Sequence, residues 1–74
     1  MAYDYSLLMG RIVTYFKTQK CFADAMGISE HSLSKKMNGK FPWKQSEIEK
    51  ACQLLEIDKN DIGSYFFNLK VQYA

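Results

Sequence analysis

The chain has 74 residues, 47% hydrophobic and 24% charged, with a formal net charge of +2. That length makes one domain, 1–74, near the size where a core is marginal, since such a chain buries only about 60% of its unfolded surface. It contains no internal repeat, no low-complexity stretch and no apolar run near the roughly 20 residues that span a bilayer.

Met1-Ala2-Tyr3-Asp4-Tyr5 lacks the basic region and apolar core of a signal peptide, so the expected location is the cytoplasm. Cys21 and Cys52 are the only cysteines, and the single His31 supplies no short-spaced ligand pair. Both thiols are expected as reduced core or boundary residues, and no metal, cofactor or small-molecule ligand is expected. Charge is unevenly spread. Six lysines against Asp24 and Glu30 give residues 17–44 a net +4, while the remainder is −2. Such a segment suits phosphate attraction and equally suits a solvated surface.

Leu7, Leu8, Ile12, Tyr15 and Phe16 recur at helical spacing over 5–16, with Ser6 as cap. Thr18 caps a second helix with apolar Phe22, Ala23 and Met26, stopped by Gly27. Ser29 caps a third, carrying Leu33 and Met37 and ended by Asn38-Gly39. After Phe41-Pro42-Trp43, where Trp43 is read as packed on the core, Ser46-Glu47-Ile48-Glu49 has the form of a capping box. Ile48, Ala51, Cys52 and Leu55 then line a fourth helix. Asp58 caps a short fifth one with Ile62, Tyr65 and Phe66.

In the tail, 67–74, the period drops to two: Phe67, Leu69, Val71 and Tyr73 alternate with polar residues, as in a half-buried strand. A lone strand leaves backbone groups open for a second copy of the chain. The tail is therefore read either as a homodimer strand or as a disordered or core-hugging segment.

The stretch 18–33 carries a spacing with a physical cause. Ala23 is small where the third helix crosses the second, Gly27 permits the sharp turn, and Ile28 with Leu33 fills the wedge. A steep crossing leaves the second helix of such a pair protruding, free to enter a groove. Thr18-Gln19, Ala23, Gly27, Ser29, Ser32-Leu33 and Asn38-Gly39-Lys40 followed by Pro42 resemble the helix-turn-helix of the Cro/CI-type phage repressors. The resemblance covers most of the chain, and the tail is similar to the dimerising end of Cro proteins. Lys36 departs from it, standing where many members carry an apolar residue, with Met37 beside it to take over that packing.

The resemblance implies an all-α, five-helix, lambda-repressor-like domain with a short C-terminal strand. It further implies a dimeric transcriptional regulator of phage or prophage origin that occludes an operator on double-stranded DNA in a bacterial host. Glu30, His31, Ser34 and Lys35 would face base edges, and Thr18, Gln19, Lys20, Ser29, Ser32, Lys36, Asn38, Lys40 and Lys44 would serve the backbone. Glu30 has a second reading as a carboxylate complementing the helix dipole.

An enzyme is not expected: no paired carboxylates, nucleophile with base, or glycine-rich phosphate loop occurs. The alternative from another class is a protein-binding module, such as a phage antirepressor, that uses the same fold to block a partner protein. The polar residues of the third helix favour the DNA reading over a protein interface with an apolar centre.

Overall fold

The structure is a computed structural model that describes residues 3–69. Five helices follow one another: α1 (Ser6–Phe16), α2 (Gln19–Met26), α3 (Glu30–Met37), α4 (Gln45–Leu55) and α5 (Ile62–Phe66), the last entered through a 3-10 turn at Lys59–Asp61. The expected all-α, five-helix architecture is what the chain adopts.

Local chemistry explains most of the boundaries. The Thr18 side chain accepts a hydrogen bond from Cys21 N at 3.2 Å and the Ser29 side chain one from Ser32 N at 3.0 Å, each satisfying a donor that the first helical turn leaves open. Gly27 closes α2 at φ 78°, a left-handed conformation that a Cβ would strain. At α1, Asp4 rather than Ser6 acts as the acceptor, taking Ser6 N at 2.9 Å. The expected Ser46–Glu49 capping box does not form. Helix α4 starts earlier, at Gln45, and Glu47 Oε1 accepts the Lys44 backbone N–H at 2.8 Å.

The core joins Leu8 and Ile12 of α1, Phe22, Ala23 and Met26 of α2, and Leu33 of α3. Ile48, Ala51 and Leu55 of α4, Ile57 and Phe66 complete it. Ala23 is fully buried at the α2–α3 crossing, as the close approach requires. Arg11 and Lys50 finish helix ends, and Lys36 ties the connection between α3 and α4. Arg11 donates from Nε to Leu55 O (2.9 Å) and from Nη2 to Glu56 O (2.7 Å). Lys50 Nζ donates to Met26 O at 3.2 Å, and Lys36 Nζ to Pro42 O at 3.2 Å. Carbonyls at a helix C-terminus carry partial negative charge, which is why cations collect there.

The expected lone strand has a partner within the chain. Leu69 pairs with Tyr3 in an isolated antiparallel bridge, and Asp4 N donates to Asn68 O at 2.6 Å. On this edge the backbone at Leu69 is met within the chain. Val71 and Tyr73 lie outside the described residues. Cys21 is exposed rather than in the core, Cys52 is half-buried, and both are free thiols. No helix among the described residues is long and apolar enough to cross a membrane.

Candidate functional site

The α2–α3 pair is a helix-turn-helix, and its outer face is less available than its sequence suggested. Glu30 and His31 are exposed in the first turn of α3, while Ser34 and Lys35 are half-buried. Lys35 Nζ lies 5.4 Å from the centre of the Phe41 ring, a cation–π contact. Of the residues expected on a phosphate backbone, Thr18 and Ser29 have their oxygens engaged as helix caps, and the Ser29 hydroxyl also donates to Ser32 Oγ at 3.0 Å. Gln19 Nε2 is turned back onto Met9 Sδ at 3.5 Å. Lys20, Asn38, Lys40 and Lys44 are exposed.

Lys36 departs furthest from expectation. It is 7% exposed, and its ammonium sits 3.0 Å from Glu47 Oε1. It occupies the inward position that an apolar residue would fill, with its charge neutralised inside the fold. A lysine so placed is withdrawn from any phosphate.

Beside α3 lies an aromatic surface that sequence reasoning missed. Tyr3, Phe41 and Phe67 are exposed, at 39%, 44% and 51%, with Leu69 at 46%. Tyr3 meets Phe67 edge-on (centroids 5.7 Å apart, 84°), and half-buried Trp43 packs on Phe66 (5.2 Å, 78°) and Tyr5 (6.5 Å). Burial, with Tyr3 nearby, raises the Tyr5 phenol above its ordinary 10.0. Trp43 is thus in the packing that the sequence implied.

Two clefts flank this N-terminal segment. One, of about 310 Å³, is walled by Tyr3, Tyr5, Phe41, Pro42, Trp43 and Phe67. The other, of about 490 Å³, runs from Tyr3 and Tyr5 past Met9 and Gln19 to Ser34 and Asn38 of the α3 side. The signal that could have located them is the density of aromatics at both chain ends, Tyr3 and Tyr5 with Phe66 and Phe67. Their meeting depends on a pairing that no local pattern announces.

Among the described residues no cluster of His, Cys, Asp and Glu could hold a metal ion. An apolar centre rimmed by polar groups is the anatomy of a protein interface, in which Tyr, Trp and Phe are enriched.

Comparison with known proteins corrects the kinship read from the sequence. The profile of the family described as "Protein of unknown function (DUF739)" matches residues 1–69. The chain belongs to the DUF739 family. It is also similar to the solution structure of the modulator of repression (MOR) of the temperate bacteriophage TP901-1 from Lactococcus lactis. The two are 51% identical, with a TM-score of 0.82 and 97% of each chain covered. No curated protein matches it.

These matches overturn the membership in the Cro/CI repressors, and with it the DNA-binding repressor and the operator DNA expected as partner. The physical reason is that Ala23, Gly27 and Leu33 encode how two helices cross. They say nothing about what the outer face touches, so a DUF739 protein and a repressor can share the motif and differ in partner.

Proposed function

We propose that this chain is a non-enzymatic modulator of repression, of phage or prophage origin, that works by binding a repressor protein in the cytoplasm of a bacterial host. The observation that carries this reading is the 51% identity, over 97% of both chains, to the modulator of repression of TP901-1. The surface is compatible with it. The partner's apolar side chains would enter the two clefts beside Tyr3 and Tyr5, where aromatic walls offer large contact area. Glu30, His31, Ser34 and Lys35 would form a polar rim that fixes orientation. Buried and ion-paired, Lys36 reduces the positive charge left for a polyanion.

The test is titration of the purified chain with the repressor encoded by the same phage or prophage genome, followed by calorimetry and size-exclusion chromatography. A discrete complex with a Kd at or below about 1 μM is expected. Absence of a complex with the repressor in large excess would reject the reading.

A further inference from the structure

One ion pair touches the connection that carries Phe41 and Trp43. Lys36 and Glu47 have side chains only 9% and 17% exposed and meet at 3.0 Å. Each makes a second contact with the connection between α3 and α4. Lys36 Nζ donates to Pro42 O at 3.2 Å, and Glu47 Oε1 also accepts Lys44 N at 2.8 Å. The circuit therefore runs from α3 through the Pro42 carbonyl and the Lys44 amide to the first turn of α4.

The start of the same connection is held by Lys40 N and Phe41 N, which both donate to Lys35 O at 2.8 and 3.3 Å. Phe41 hangs between these ties, 44% exposed, with the Lys35 ammonium 5.4 Å from its ring centre. Trp43 stands between Pro42 and Lys44, the two residues whose backbone the ion pair grips.

We infer that Lys36 and Glu47 are positioning residues for the partner surface, holding Phe41 and Trp43 in the arrangement that shapes the cleft. The inference rests on the proposed protein partner for its functional meaning. An ion pair withdrawn from water contributes little net stability, because desolvation offsets attraction; where such pairs are retained, fixing a geometry is the role they can serve. An apolar side chain at position 36 would fill the space and leave the Pro42 carbonyl ungripped.

The experiment compares Lys36→Met and Lys36→Arg with the unaltered chain. Amide hydrogen exchange in the free protein reads the connection alone. Lys36→Met is expected to speed exchange at Phe41 and Lys44 by about tenfold, with the α1, α2 and α4 amides unchanged. Calorimetric titration with the repressor of the same genome reads function. Lys36→Met is expected to weaken binding about tenfold and to lower the melting temperature, because Glu47 loses its cation. In Lys36→Met/Glu47→Gln the melting temperature is expected to recover while the affinity stays low, and Lys36→Arg is expected to keep both properties, since its guanidinium can reach both acceptors.

Unchanged exchange and affinity in Lys36→Met would overturn the inference. So would a loss of affinity that merely tracks a fall in melting temperature. If the unaltered chain fails to bind the repressor, the proposed function falls, while the exchange data still decide whether the pair shapes the connection. Should Lys36→Met alone fail to fold, the Lys36→Met/Glu47→Gln pair, which buries no unpaired charge, provides the second reading, with the same expected changes in exchange and affinity.

Discussion

Arg11 of α1 reaches the far end of α4, where its Nε lies 2.9 Å from Leu55 O. The same guanidinium donates to Glu56 O and stands 5.2 and 5.8 Å from the ring centres of Tyr15 and Tyr65. Glu56 closes α4 in a left-handed conformation, φ 53°, which costs a residue with a Cβ roughly 1–2 kcal/mol. Arg11→Ala is expected to lose about 1–3 kcal/mol, because charge-assisted bonds to two helix-end carbonyls go unmade. A shift of ~4–8 °C in melting temperature per kcal/mol makes this visible by thermal circular dichroism. Arg11→Lys should recover only part of it, a single ammonium being unable to match the planar fork.

Two glycines should respond in opposite senses to alanine. At Gly27 the nearest atom to an added Cβ is Lys50 Nζ at 3.9 Å, so space is adequate, yet φ is +78°. Gly27→Ala is expected to destabilise by about 1–2 kcal/mol from backbone strain alone. Gly10, inside α1 with nothing within 4 Å of an added Cβ, should gain about 0.5–1 kcal/mol as alanine. Chemical denaturation of both variants measures the contrast; a loss at Gly10→Ala would contradict it.

Stability should also decline in acid through Glu47. Burial pushes its carboxyl up, but the Lys44 N–H, the hydrogen bond from Lys36 and the charges of both lysines together hold it below the ordinary 4.5. The folded state therefore prefers the ionised form. The associated stability is complete above 4.5 and disappears as pH falls through the lower folded value. In Lys36→Met two of these influences vanish, so its unfolding free energy should fall less steeply between neutral and acid pH. Parallel acid limbs for the two proteins would show that the pair is not the source.

Binding energy in protein interfaces concentrates in a few large anchors. Phe41→Ser and Phe67→Ser are each expected to cost about 2 kcal/mol or more of affinity for the repressor with little change in melting temperature, since both rings are exposed. Glu30→Gln at the rim should cost less than about 1 kcal/mol and act mainly on association rate. Calorimetry with stopped-flow mixing separates the two classes.

Both ends of α2 and the start of α3 were legible because they rest on contacts within a few residues. Thr18, Gly27 and Ser29 act locally, and each stands where the pattern placed it. The start of α4 was misread where two overlapping acidic candidates, Glu47 and Glu49, compete. The winner was decided by Lys36, which is remote from both in sequence and captures Glu47 in space. The same remoteness hid the partner of Leu69, since Tyr3 lies at the other end of the chain. The partner class was misread for another reason. Polar residues on α3 were weighed alone, without the neighbouring Tyr3, Phe41 and Phe67 that give that face an apolar centre.

The bridge between Tyr3 and Leu69 has a practical corollary. The polypeptide enters and leaves the described fold side by side, at the lip of the aromatic clefts. A bulky group attached at Tyr3 or Leu69 stands at that lip and competes for the space a partner would take. The exposed Lys59, in the turn before α5, is outside the lining of both clefts and is the better point of attachment. The same adjacency suits the described fold to circular permutation: a linker could join Leu69 to Tyr3, with new ends opened at that turn.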